Sequence, residues 1–566
     1  MAALLRRLRG LLPLIALMCA SGAHAATITI VNMDPAGQGL NDPTAAAPVG
    51  GNPGTSVGQQ RLNVFLQAAS IWGGILPSAV TIRVEASFTP LSCNSTSGAL
   101  GAAGPNDVFW NFPNAPFANT MYTKAEADKL AGFDLNPGEN DIGAFFNSQI
   151  GQPGCLDGRS WYYGYDHNEG NPQFDFLAVV LHEIGHGLGF LTFVDDNTGQ
   201  LGNGLPDIYS KFIFDAKTGQ NWSDETDAQR AASDTATFKV LWDGMNVRNH
   251  VVGTLGARPL MRINSPAPIF GDYPVGVATF GPALTNGGTT GNVVLGVDGT
   301  APTGDACQAL TNAAQVAGKI ALVDRGTCFF TDKVKNCQNA GAIAVLVAND
   351  ATSSEPVGMS GVEPTITIPS VRITKAAGDA IKAQLAGGPV SVTLRTDPTQ
   401  IAGADAEHRV MLFAPNPNQP GSSISHWDVT CQPNLLMEPN INADLTSNVD
   451  LTLYAFQDIG WFIGNTGVTD GPSLARLDLP SNAPNPFQRA TTIAFELPAA
   501  GQTELAVYDP AGRRVRTLER GYLPAGSHRT VWDGTDERGQ PVHGGVYFTR
   551  LTVAGETRSR GMLMVR

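Results

Sequence analysis

Residues 182–186 read His-Glu-Ile-Gly-His, an HExxH pattern. On a helix, residues four apart share a face, so His182 and His186 can reach one ion while Glu183 stands beside them to take a proton from a water. Zinc suits imidazole ligands, and with one coordination position open it lowers the pKa of a water toward neutrality. These residue types at this spacing predict one catalytic Zn2+ and hydrolysis with Glu183 as general base, with no covalent intermediate. The flanking Val179, Val180 and Leu181 are too apolar for a solvated face, which argues against two ordinary surface histidines. A catalytic zinc also needs a third protein ligand from elsewhere in the chain. A second motif, Gly54-Thr55-Ser56-Val57-Gly58, matches the GxSxG of serine hydrolases. A Pro/Gly-rich loop precedes it where that chemistry needs a strand, so Ser56 reads as a helix cap.

The elements that must position these residues follow from periodicity. Thr27–Val31 alternates as a strand, Gln59–Leu76 has helical spacing, and Val80–Phe88 alternates again. The helix carrying HExxH is expected to begin near Asn171-Pro172, a cap followed by a residue suited to the first helical position, and to stop at Gly187 and Gly189. Near Pro266 the composition shifts to Gly, Ala, Val and Thr. There the apolar strands of KIALVDRG and AIAVLVAND flank a helical stretch, a separate α/β module. After Gln400 come two turn-rich segments and the short apolar helix of DLTLYAFQDIGW. The last 85 or so residues alternate strands with turns such as DPAGR and WDGTDERG, which fits an antiparallel β-sandwich.

HEIGHGLGF extends the motif to HExxHxxG and resembles the metzincin metalloproteases, in which a third His usually follows three residues after the glycine. Here that position is Thr192. The departure points to the leishmanolysin-like branch, where the third His arrives after a long insertion in a segment like SHW, followed by a Met-Pro turn. Ser425-His426-Trp427 and Leu436-Met437-Glu438-Pro439 match both, and TLYAFQDIGW is similar to that family's closing helix. The resemblance implies His182, His186 and His426 as zinc ligands, Glu183 as the base, and Met437 in the turn beneath the metal. Asp195, Asp196, Asp207 and His408 remain alternatives for the third ligand. Residues 268–400 resemble a protease-associated (PA) domain, which has no His and so supplies no imidazole. The C-terminal part resembles the immunoglobulin-like domain of the flagellar hook-capping type, for which a sorting or surface-attachment role and a passive spacer both stay open.

Composition bounds the rest. Asp and Glu outnumber Lys and Arg by 50 to 36, which disfavours a phosphate-backbone partner, and 64 Gly with 38 Pro exclude an all-helical fold. Arg6, Arg7 and Arg9 precede the apolar Leu11–Ala20 and then Ala23-His24-Ala25, a secretory signal peptide. No later segment is apolar for long enough to cross a bilayer. Six cysteines then remain in an exported chain, favouring disulfides; by locality Cys93 pairs with Cys155 and Cys307 with Cys328. Calcium is left open, since Asp533–Gly539 reads as a plain turn.

The expected fold class is α+β: a metzincin-like zinc protease domain interrupted by an α/β PA domain and followed by an all-β immunoglobulin-like sandwich. The expected boundaries are signal peptide 1–25, protease 26–267, PA insert 268–400, protease 401–464, linker 465–480 and sandwich 481–566. The expected function is a secreted zinc endopeptidase acting on proteins or peptides. The alternative is a binding protein on a catalytically inactive zinc-protease scaffold.

Overall fold

The structure of the protein is a computed structural model that describes residues 25–463 apart from 171, 327, 351–355 and 443. Further on it describes 479, 482, 485 and 487–565, apart from 498–500, 511, 524–525 and 554–555. The expected signal peptide, save Ala25, and nearly all of the expected linker lie outside the described residues. The chain divides into two compact units, the first reaching Asn465 and the second made almost wholly of Thr466–Arg566.

The first unit opens with a sheet of β1 (Ile28–Asn32), β2 (Ile82–Thr89), β3 (Gly101–Pro105) and β4 (Ile142–Asn147), in the order β1-β2-β4-β3. β1, β2 and β4 run parallel, and β3 is an antiparallel edge strand. The alternation expected for β2 holds: Ile82, Val84, Ala86 and Phe88 are buried while the residues between them are less so. Helix α1 (Val57–Ile75) starts where Ser56 accepts a hydrogen bond from the Gln59 backbone N–H, so Ser56 is the cap its context predicted. α1 lies on α2 (Phe176–Gly187), the HExxH helix, and the Trp72 indole N–H donates to the Leu181 carbonyl at 3.0 Å. Phe65, Phe88 and Phe146 gather around Phe176 at the head of α2, with centroids 5.7, 5.4 and 5.2 Å from its ring. Burying each such side chain contributes about 2 kcal/mol, and edge-to-face contact adds to it.

α2 begins later than its sequence suggested. Gln173–Asp175 is a short strand paired with Ser160–Tyr162, and Asp175, not Asn171, caps the helix. The Asp175 carboxylate accepts from the Leu177 and Ala178 backbone N–H groups, which fixes the first turn at Phe176. The stop falls at Gly187 as expected, and Gly189 turns the chain with φ of 123°.

The middle of the unit is an eight-stranded mixed sheet built on parallel strands Thr289–Leu295, Ile320–Asp324, Ala344–Ala348 and Ser370–Ile373. Separate apolar cores lie on its two faces, one holding Leu322, Leu346 and Ile381, the other Val323, Val334 and Val345. The sheet begins before the expected boundary at 268. β6 (Ala257–Ser265) pairs along β7 (Ser391–Ile401), so it belongs to the module in space although its polar, irregular sequence does not announce it. β5 (Val240–Trp242), just before the module, pairs with β8 (Val410–Met411), just after it. Helix α3 (Asp450–Ile459) closes the unit.

In the second unit, Thr491–Leu497 pairs with Gly526–Trp532, and a four-stranded antiparallel sheet lies in the order Arg514–Leu523, Gly501–Tyr508, Gly545–Val553, Glu556–Met564. Phe487, Phe495, Leu505, Trp532 and Leu551 form its core. Asp533 accepts from the Thr535 backbone and hydroxyl, a local turn of the kind its sequence suggested.

The structure joins Cys93 to Cys155 and Cys307 to Cys328, and leaves Cys337 and Cys431 as buried free thiols. Among the described residues no helix is long and apolar enough to cross a membrane.

Candidate metal centre

α2 presents His182 and His186 on one face, and the loop before the Met437 turn brings His426 to meet them. The Nε2 atoms of His186 and His182 are 3.0 Å apart, and each is 3.2 Å from Nε2 of His426. Every Nδ1 faces a backbone carbonyl: Leu436 for His182 at 2.7 Å, Phe190 for His186 at 2.8 Å, Ser422 for His426 at 2.7 Å. A carbonyl only accepts, so each Nδ1 carries the proton and donates it. Each Nε2 is then a bare lone pair, and three converging lone pairs repel one another unless a cation sits between them. Ligands about 2.0 Å from a tetrahedral zinc stand about 3.3 Å apart, close to what these nitrogens show. The donor set therefore fits zinc, and the three carbonyls hold each ring in the tautomer a metal needs.

Burial acts in the same direction. All three rings are nearly inaccessible, and desolvation holds His182 down at about 4, His186 at about 3 and His426 well below the ordinary imidazole range, with the neighbouring histidines adding to the effect on the last two. They stay neutral, ready to ligate. Glu183, also buried, is pushed up to about 8 by desolvation, against a hydrogen bond from the Ala103 backbone. A divalent cation beside it would draw that value back down. Gly101 of β3 leaves the space Glu183 occupies, since a Cβ there would lie 2.8 Å from its Oε1.

Met437 lies fully buried against α2: a Cβ on Gly185 would sit 2.8 Å from its sulfur. Its turn is tied on both sides, for the Trp427 N–H donates to the Met437 carbonyl at 2.8 Å and Asp450, the first residue of α3, accepts from the Leu436 N–H at 2.5 Å. The carbonyl of that same Leu436 orients His182. The Met turn thus sets the position of the His182 ring through its backbone.

The other candidates for the third ligand are engaged elsewhere. Asp207 accepts from the Thr192 hydroxyl and from the Phe193 and Ser210 N–H groups, which folds the loop after α2. Asp195 closes an exposed turn on Asn197 and Thr198, and His408 sits in a turn on Asp405. Asp196 borders the cleft without joining the cluster. Among the described residues, His182, His186 and His426 form the one group of this kind whose ligand atoms converge. Thr192, standing where a third His was to be expected in an ordinary metzincin, donates its N–H to Ser425 Oγ at 3.2 Å and so braces the residue before His426.

Sequence reasoning missed His167. Its Nδ1 hydrogen-bonds the Asp175 cap and its Nε2 meets Ser447 Oγ at 2.8 Å, linking the start of α2 to the segment before α3. Nothing in the spacing marks it; an isolated His beside charged residues has no distinguishing pattern.

Comparison with known proteins finds a PA domain over residues 289–381 and a FlgD Ig-like domain over 481–557. Vacuolar-sorting receptor 1 of Pisum sativum is 35% identical over 136 residues, 23% of this chain and 22% of that protein. Vacuolar-sorting receptor 2 of Arabidopsis thaliana is 34% identical over 151 residues, 24% of this chain and 23% of that one. The chain thus spans less than a quarter of these relatives. A zinc aminopeptidase from Bacillus subtilis overlaps in structure at 23% identity and a TM-score of 0.19, over 27% of this chain and 36% of that one, too slight an overlap to carry an argument. The chain is accordingly a mixed α+β protein that carries a PA domain in its middle and a FlgD Ig-like domain at its C-terminal end.

Proposed function

We propose that the protein is an exported zinc-dependent endopeptidase of leishmanolysin-like, metzincin type, with His182, His186 and His426 as the zinc ligands and Glu183 as the general base. The observation that carries this reading is the convergence of three Nε2 lone pairs, each ring fixed by a carbonyl at Nδ1, with a carboxylate on the residue next to the first ligand. Zinc, when bound, supplies Lewis acidity that polarises the scissile carbonyl and makes water a better acid. Glu183 takes the proton of the attacking water and returns it to the leaving amine. The Ala103 N–H and the gap left by Gly101 set where the carboxylate stands. Burial of the cluster excludes bulk water that would otherwise screen these charges.

A purely structural zinc would be closed by a fourth protein ligand and has no need of a base, which favours an enzyme over an inactive binding scaffold. The PA domain match fits a peptidase in which the insert borders the cleft. Export rests on the basic, then apolar, first 25 residues, and the two disulfides suit an oxidising compartment. The test is hydrolysis of an unfolded protein by the purified, zinc-loaded chain beside Glu183→Ala, with metal content measured in both. One zinc in each and turnover in the wild type alone is the expected result. Equal turnover in both would overturn the assignment of Glu183. Zinc in both with turnover in neither would replace the enzyme with the binding scaffold.

A further inference from the structure

The cleft that holds the three histidines has a volume of about 1360 Å3, and its walls come from the α2 region and the PA domain together. The lining carries carboxylates, Asp350 among them, and also three arginines: Arg159 from the first wall, Arg325 and Arg372 from the second. Arg325 directly follows the strand Ile320–Asp324, and Arg372 lies in the strand Ser370–Ile373 of the same parallel sheet. Carboxyl ends of parallel strands are where open α/β sheets receive ligands.

The guanidiniums lie over aromatic rings that line the same cleft. Arg325 and Arg372 stand 4.3 and 5.6 Å from the centroid of Phe330, and Arg159 stands 5.1 Å from Phe329 and 5.5 Å from Phe174. Disulfides brace both sides, for Cys155 precedes Arg159 by four residues and Cys328 follows Arg325 by three. Among the described residues none of the three has a carboxylate within ion-pair distance. Among the described residues their side-chain hydrogen bonds are few, Arg325 to the Gly326 carbonyl and Arg372 to Asn349, and Arg372 Nε is buried with no partner there. Burial lowers all three pKa values, Arg372 to about 10; the charge of Arg325 lowers the other two further, and Asp350, which borders the same cleft, offsets part of the effect on Arg325 and Arg372. Three like charges, stacked in place and making few hydrogen bonds to the described residues, have the chemistry to receive an anion within a peptide-sized cleft.

We infer that Arg159, Arg325 and Arg372 form a subsite for a substrate carboxylate, so that the cleft selects peptides bearing an Asp or Glu side chain, or a free C-terminus, on one side of the scissile bond. The inference rests on the peptidase reading of the same cleft. A guanidinium–carboxylate fork is the interaction that these planar, pre-positioned groups make best.

The test is a panel of short internally quenched peptides. In one arm a single Glu is walked along a neutral, amide-capped sequence, with Gln peptides as partners; in the other the neutral sequence has a free C-terminus. The expected result is a kcat/KM at least about tenfold higher for the best acid-bearing peptide than for its uncharged partner, carried mainly by KM. Arg159→Gln and Arg325→Gln are expected to collapse that ratio toward unity, while Arg262→Gln, a surface change in the same sheet, leaves it in place. The arm with the preference tells a side chain from a C-terminus. A ratio of one in the wild type, or a ratio unchanged in both variants, overturns the subsite and leaves the peptidase standing. If no peptide is cleaved, the peptidase reading falls instead, and anisotropy of labelled Glu and Gln peptides on Glu183→Ala decides the subsite. Glu-selective binding lost on Arg325→Gln supports it, and equal binding refutes it.

Discussion

Replacing Asp175 should loosen the helix that carries His182 and His186 without changing either histidine or Glu183. Asp175 is buried and makes two kinds of contact: it caps α2 through the Leu177 and Ala178 N–H groups at 2.8 and 3.3 Å, and it pairs with His167. Losing the cap costs about 1 kcal/mol. Losing a hydrogen bond to a charged, mostly buried partner costs about 2 kcal/mol more. Asp175→Ala is therefore expected to weaken α2 by about 3 kcal/mol, and Asp175→Asn, which still caps, by less than the alanine. A chain with several cores does not unfold in one step, so the readout is local: hydrogen exchange of the amides from Leu177 to His182, faster by about a hundredfold in the alanine variant at pH 6. The pH dependence has a definite sign. Hydrogen bonding to Asp175 raises the pKa of His167 above 6.5 in the folded state. The pairing therefore contributes fully below about pH 6.5 and fades as pH rises through the folded value. The ratio of variant to wild-type exchange should fall with rising pH toward the fivefold or so that a cap alone accounts for. A ratio near one at pH 6, or one that grows with pH, would refute the reasoning.

Three further outcomes follow from the geometry. Gly101→Ala puts a Cβ 2.8 Å from Glu183 Oε1, so turnover should drop about ten- to a hundredfold with zinc content unchanged, as kinetics beside metal analysis would show. Gly185→Ala drives a methyl to 2.8 Å from the Met437 sulfur; the loss should be about 1–3 kcal/mol, seen as faster hydrogen exchange of the α2 amides. Cys93→Ser with Cys155→Ser opens a link across 62 residues and should cost about 4 kcal/mol on the chain-entropy estimate, measured as faster hydrogen exchange of the β2 and β4 amides than in the oxidised wild type.

What the sequence revealed of the site, and what it hid, divides along physical lines. His182, Glu183 and His186 are legible because a helix turns local spacing into a shared face. His426 is not legible from spacing, since 240 residues separate it from His186; it was found by resemblance, and the structure brings it to the other two. The groups that orient the rings are carbonyls of Leu436, Phe190 and Ser422, and a backbone carbonyl leaves no mark in residue types. The start of α2 was misplaced because Asn171-Pro172 is as good a start signal as Asp175, and only the pairing of residues 173–175 with Ser160–Tyr162 decides between them. The arginines of the cleft come from three distant places in the chain and meet only once the PA domain is folded.

That the third histidine can stand so far along the chain has its explanation in how the PA domain is attached. Ala257 at the start of β6 pairs with Ile401 at the end of β7, the Ala402 N–H donates to the Gly256 carbonyl, and Leu241 pairs with Met411 just outside. The chain therefore leaves and returns at adjacent points, and the domain hangs from a two-stranded stem. A folded insert of this kind shortens the loop between His186 and His426 to under half its length along the chain. The loop-closure gain from that is only about 0.8 kcal/mol, because the cost grows with the logarithm of length. Entropy is thus the smaller effect. The larger one is direction: the stem fixes the register of β8, the Leu412 N–H donates to the Val240 carbonyl, and the Phe413 N–H donates to the His426 carbonyl, so the backbone that carries the third ring is tied to the chain just past β8. The same stem leaves the arginine-bearing face of the PA domain bordering the cleft, so the attachment that makes the long insertion tolerable also places the insert beside the cleft that Glu183 lines.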